Sequence, residues 1–191
     1  MSGTRPGMWS DFVFGRILRE RTIVLGAEVD DDLAARVVAQ LVALDAENPR
    51  EDIGLYLDSP GGSLSAGLAI YDAMRFVAAD VSTWAVGFVA AIAQFLLCSG
   101  SPGKRYALPA ARIVMRHPSR WDAGNDITRR ADVRHDWHDE ITREMSRRTG
   151  KSFALVSRDL ERGRSFSAVE SFSYGIVDRV VAGAHGVPQH N

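Results

Sequence analysis

Apolar residues along the chain come in short packets of two kinds that alternate. Within RTIVLGAEV, the residues Ile23, Val24 and Leu25 form a β-rich run. Behind it, Leu33, Val37, Leu41 and Leu44 recur at helical spacing, and the cluster Asp30 to Asp32 supplies N-cap candidates for a helix through Asp45. The same couple returns. IGLYLD (53–58) predicts a strand, Ser59-Pro60-Gly61-Gly62 a turn, and the residues from about Ser65 to Phe76 a helix. VSTWAV (81–86) predicts a further strand that reaches Gly87 and breaks straight into a helix over AAIAQFLLCSG. ARIVM (111–115) predicts a strand that precedes, across Pro118 and Gly124, a long polar helix from about Asp126 to Thr149. Strand, loop and helix in repetition predict an α/β fold with largely parallel strands and right-handed crossovers.

The long helix carries Val133, Trp137, Ile141 and Met145 at steps of four, with charges almost everywhere else. So narrow a stripe suits a helix lying against one neighbour, such as another subunit. After Gly150, SFALVSRDLE and SAVESFSYG predict two short helices; Ser167 and Glu170 form a capping box, and Gly175 stands where a C-cap glycine belongs. IVDRVV closes as a strand. Gly3, Pro6 and Gly7 at the start and AGAHGVPQHN at the finish read as loop, so about 1–13 and 183–191 are expected to be flexible ends of a single domain spanning 1–191.

Composition narrows the function classes. With 191 residues, 46% hydrophobic and 25% charged, the chain suits one domain with its own core, and 23 basic against 24 acidic side chains give no electrostatic reason to expect nucleic acid or membrane. The longest apolar run, Ala85 to Ala93, is about half a membrane span. A cytoplasmic protein without metal or other cofactor is the expectation. Cys98 lies inside an apolar run with no histidine nearby in sequence, which favours a packing role over a nucleophilic one.

The turns at Gly61-Gly62 and Gly87 face one another if consecutive parallel strands are neighbours, and their backbone N–H groups then suit an oxyanion, carboxylate or phosphate; glycine that merely permits a tight turn is the plainer alternative. Ser63 and Ser65 read as N-cap residues and Ser99 as a helix-end polar group. His135 and His138, three apart on the long helix, have spacing for a metal, but Asp136, Asp139 and Glu140 around them fit a solvated charged face.

Three long blocks carry a resemblance: ENPREDIGLYLDSPGGSLSAGLAIYDAMR, VSTWAVGFVAAIAQFLLCSGSPGKRYALPAARIVMRHP and RDLERGRSFSAVESFSYGIVDRV. In this order they resemble the proteolytic subunit of the Clp protease, a serine peptidase of the S14 type, over about Arg16 to Val181. The resemblance implies a crotonase-like α/β Clp-protease fold of repeated strand-turn-helix units, with a long protruding helix. It also implies assembly in stacked seven-membered rings around a closed chamber, fed with unfolded chains by a hexameric AAA+ ATPase. The family's triad is Ser-His-Asp. Carried onto this chain, its positions fall on Ala91 in GFVAAIAQFLL, on Arg116 in RIVMRHP and on Gly163 in DLERGRSF. The family's oxyanion hole falls on Gly62 and Ile92. His117 stands one step past the base position, where strand alternation would turn it to the opposite face. Tyr56, Phe76 and Tyr106 match aromatic positions that in the family line pockets for an apolar loop of the ATPase.

The resemblance with its three vacant roles implies a Clp-type subunit that no longer cuts and serves a structural or regulatory part, in rings of its own or mixed with active paralogues. Two alternatives stand beside it. One is an active ATP-dependent serine endopeptidase using unrecognised residues; the other is a crotonase-like acyl-CoA-binding protein, since both families share turns with paired N–H donors.

Overall fold

A computed structural model describes residues 7–117 and 131–183, with side chains from 13 to 117 and from 137 to 183. The outer ends, the turn through Pro118 and Gly124 and the expected helix start near Asp126 lie outside the described residues.

The first departure from expectation is at the N-terminus, where α1 (Gly7–Arg19) is a helix although Gly7 suggested loop. The backbone φ of +53° at Arg21 then turns the chain into β1 (Thr22–Leu25). Arg21 is buried and donates to the carbonyls of Asp52, Leu44, Asn48 and Glu51. Its guanidinium thereby ties the end of α2 (Asp31–Glu47) to the loop that follows it. Asp30 caps the start of α2 as expected, accepting from Leu33 N–H at 2.8 Å.

β2 (Ile53–Ser59), α3 (Leu64–Phe76), β3 (Val81–Ala90) and α4 (Ile92–Cys98) continue the strand-helix alternation. β4 (Arg105–Ala107) and β5 (Arg112–Met115) follow, then α5 (Ala131–Thr149), α6 (Phe153–Glu161), β6 (Arg164–Ser167), α7 (Ala168–Tyr174) and β7 (Arg179–Val180). Parallel pairing runs β1-β2-β3-β4-β7, while β5 pairs parallel with β3 and antiparallel with β6.

β3 therefore serves two partners. Thr83–Ala85 pair with β4, whereas Phe88–Ala90 pair with β5. The division falls at Gly87, with φ +76° inside the strand, where the register with β2 shifts between Leu57 and Ser59. The Asp58 carboxylate accepts the Phe88 N–H at 2.9 Å, and a Cβ on Gly87 would stand 2.7 Å from Asp58 Oδ1. Gly87 is thus a bulge residue within β3 rather than the strand-to-helix turn that the sequence suggested.

The core lies between this sheet and α2, α3 and α4, with Leu25, Leu41, Leu55, Ile70, Leu96 and Ile113 wholly buried. The second half of α5 belongs to the same core: Ile141 and Met145 are buried and Trp137 packs against them. The narrow stripe thus finds its neighbour within the chain. The capping box of Ser167 with Glu170 and the left-handed Gly175 are present as expected.

Candidate functional site

The turn between β3 and α4 is made by Ala91, at φ 53° and ψ −123°. A residue with a Cβ seldom adopts this conformation, which costs on the order of 1–3 kcal/mol. Ala91 is pinned there: its N–H donates to the Val114 carbonyl at 3.1 Å and its carbonyl accepts from Phe95 N–H at 3.1 Å. A sharp, strained turn from strand to helix is how α/β-hydrolases present a nucleophile. Here it presents a methyl group.

Gly61 lies against this elbow, since a Cβ added to it would stand 2.8 Å from Ala91 Cβ and 3.4 Å from Ile92 N. On the other side, Val29 N–H donates to Gly61 O at 2.8 Å and Ser63 N–H donates to Val29 O at 2.7 Å. A Cβ on Gly62 would collide with the Val29 carbonyl. Gly62 and Ile92, expected as paired backbone donors, therefore sit in two turns that meet. Ile92 begins α4, so its N–H has no acceptor within that helix.

β5 ends at Met115, so Arg116 and His117 lie beyond the strand and its alternation. Both line one crevice with Ala91, Ile92, Gln94 and Phe95, which corrects the expectation that His117 faces away. The crevice is too tight to hold water. Arg116 Nη2 donates across it to the Pro60 carbonyl at 3.2 Å. The His117 ring packs on that of His138, with centroids 4.1 Å apart. Burial pushes the His117 pKa down, against the upward pull of Glu161, so the imidazole is neutral at neutral pH. Gly163 has φ +63°, and a Cβ on it would lie 3.9 Å from Arg116 Cβ. Ala91 and Arg116, far apart in sequence, line the same crevice, and Gly163 approaches Arg116 from outside that lining.

Sequence reasoning passed over Gln94. Its side chain is fully buried on this crevice, and neither Nε2 nor Oε1 has a hydrogen-bond partner. The only signal was a single polar residue in the apolar run of α4. Ser63 caps α3 as expected, accepting from Ala66 N–H at 3.2 Å; Ser65, also expected as a cap, instead lies inside α3 and shares a hydrogen bond with Ser63, because the helix already begins at Leu64; Ser99 donates to Phe95 O at the end of α4, as expected. Cys98 is wholly buried, and burial pushes its thiol up to about 11, which leaves it inert. The His135 side chain lies outside the described residues; among those described, no group of three or more His, Cys, Asp or Glu is placed to hold a metal.

A family model described as Clp protease matches residues 6–184. The chain belongs to the Clp protease family. It is 44% identical over 188 residues to the ATP-dependent Clp protease proteolytic subunit 2 of Corynebacterium efficiens, covering 96% of this chain and 94% of the relative. It is 46% identical to subunit 2 of Nocardia farcinica, covering 92% and 88%, and 47% identical to subunit 1 of Streptomyces avermitilis, covering 93% and 83%.

A second candidate surface of this Clp family member lies on the first half of β3. The register sets Tyr56 beside Trp84 and Trp84 beside Tyr106 across β2, β3 and β4. Their rings form a ladder, with Tyr56 stacked on Trp84 at 5.3 Å and Trp84 on Tyr106 at 4.2 Å. Trp84, which the sequence reading left out of this set, is its centre. Trp84 and Tyr106 are buried and Tyr56 half-buried; Phe76, at the end of α3, is 80% exposed. Among the described residues, no helix is long and apolar enough to cross a membrane.

Proposed function

We propose that this chain is a catalytically inactive Clp-type proteolytic subunit, acting structurally or as a regulator in cytoplasmic ring complexes, of its own or with active paralogues. The observation that carries the reading is the methyl of Ala91 at the hydrolase elbow. It cannot attack a carbonyl carbon. Beside it, the Arg116 guanidinium stays protonated at any physiological pH and cannot accept a proton, and Gly163 offers no carboxylate to orient a base. The paired turns of Gly62 and Ile92 retain the outline of an oxyanion hole, which without a nucleophile has no tetrahedral intermediate to stabilise. The half-buried Tyr56, stacked on the buried Trp84 and Tyr106, and the exposed Phe76 are the apolar positions that support docking of a loop of an AAA+ ATPase.

The purified protein is expected to resist labelling by a fluorophosphonate probe and to leave a short fluorogenic peptide uncut. Labelling of any serine would overturn inactivity. Native mass measurement of complexes from the source cells is expected to find active paralogues in the same ring. Ala91→Ser alone is expected to stay inactive for want of a base. Combined with Arg116→His and Gly163→Asp it should gain at least ~100-fold over the single variant, the scale of general-base assistance. Aspartate is among the residues that best tolerate the positive φ of position 163.

A further inference from the structure

Two histidines meet where the chain leaves β5. His117 follows the strand, His138 lies on α5, and their rings pack with centroids 4.1 Å apart and planes tilted by 31°. His117 Nδ1 is buried and lacks a hydrogen-bond partner, and the crevice that the residue lines is too tight to admit water. Among the described residues, charged and titratable groups bear on this ring from three sides. Arg116 shares its segment and lines the same crevice; His138 faces it from α5; Glu161, exposed at the end of α6, pulls it toward protonation. From α4 the neighbour is Gln94, which carries no charge. Asp139 and Arg143, next along α5, neutralise each other, and Glu140 lines a separate groove against α3. A neutral His117 fits this setting. A protonated one brings a charge and a second N–H donor to a place without water, beside another cation.

We propose that the contact of His117 with His138 is a proton-operated latch between the end of β5 and α5, closed while His117 is neutral and released when it is charged. β5 is held by β3 on one side and β6 on the other, and Ile141 and Met145 fix the later part of α5 in the core. The part left to move is the stretch of α5 ahead of Ile141, which carries Trp137 and His138. Charging His117 turns its ring out to water, and that stretch loses the face it packs on. Because burial holds the His117 pKa below the ordinary 6.5 in the closed contact, against the pull of Glu161, latching is complete above about 6.5 and is lost as pH falls below it. One proton weakens it by up to ~10-fold per pH unit. The latch makes no use of Ala91, so it stands or falls separately from the inactive reading.

The test is hydrogen–deuterium exchange of the full-length protein, read by mass spectrometry at pH 7.5 and 5.5 and corrected for the intrinsic pH dependence of exchange. Peptides covering 131–140 are expected to lose at least ~5-fold in protection at pH 5.5, and those covering β3 less than ~2-fold. His117→Phe keeps a ring in the contact without a proton site and should hold 131–140 protected at both pH values. His138→Ala removes the contact and should leave the stretch unprotected at both. Equal protection of the wild-type protein at the two pH values would overturn the latch, as would a pH-dependent loss that persists in His117→Phe. Should His117→Phe fail to fold, the carbon-bound ring protons of the wild-type protein are followed by NMR, with His117→Gln supplying the assignment. A His117 ring that titrates at or above 6.5 would overturn the latch equally.

Discussion

In β3, the residues before Gly87 and those after it are held by different means. Residues 81–85 are all buried, and the side chain of Trp84 stacks between tyrosines of both neighbouring strands. After Gly87, Phe88 is 43% exposed although Val89 and Ala90 are buried, and the path of the chain is set by contacts to its main chain as well as by packing: the Asp58 carboxylate on Phe88 N–H, the β5 ladder, and the close approach of Gly61 to Ala91. The first half depends on what its side chains are. The second half depends in addition on where the main chain can go. That difference explains how an elbow keeps a strained geometry while carrying a side chain with no chemistry: none of the contacts that impose the conformation involves a serine hydroxyl.

The contrast is open to attack from both ends. Trp84→Ala should destabilise the protein by about 4 kcal/mol in urea unfolding, as expected for loss of a buried large aromatic. A loss below about 1 kcal/mol would remove the ladder as the support of the first half. Gly62→Ala should cost about 3 kcal/mol, because the added methyl meets the Val29 carbonyl, which is backbone and cannot yield as a side-chain tip does.

A smaller effect concerns the far end of the elbow helix. Arg148, held by Glu144, donates to the Gly100 carbonyl just past α4. Burial opposes ionisation of Glu144, but the Arg147 and Arg148 guanidiniums prevail and hold its carboxyl at about 2 against an ordinary 4.5. Because the folded value is the lower, this contribution is complete above about 4.5 and is lost as pH falls toward about 2. Glu144→Gln should flatten the acid limb of a stability-against-pH curve over that interval. The smallest effect compares two alanines of the same segment. Ala91→Gly should change stability by less than about 0.5 kcal/mol, since relief of the positive φ offsets the lost methyl, whereas Ala85→Gly in the ordinary strand should cost about 1.5 kcal/mol. Equal costs at both positions would show the elbow to be unstrained.

The same division governs what the sequence made legible. The strand-helix couples through α4 were readable because each buries a periodic face, and Asp30, Ser63, Ser167 and Gly175 announced their caps by residue type. β4 was missed because it has three residues, all buried, and so shows no alternation. β6 was missed because its pairing with β5 is antiparallel and long-range, which no local pattern encodes. At the site, the resemblance singled out Ala91, Arg116 and Gly163, while the residue pattern placed the sharp turn at Gly87, since glycine is the usual marker of a positive φ and alanine is not. The side of the chain that His117 takes depended on where β5 stops, and Gln94 on a burial that its composition argues against.

Arg105 carries a consequence for how the molecule is completed. It is buried and donates to the carbonyls of Cys98, Arg148 and Gly175, but among the described residues the carboxylate that matches its charge is Asp178, late in the chain. During synthesis the sheet from β1 to β5 emerges first, yet that guanidinium has no carboxylate to meet until Asp178 has left the ribosome. Closure of the sheet therefore waits for β7, and a nascent chain that lacks it presents an unfinished edge at β4 to whatever strand it encounters.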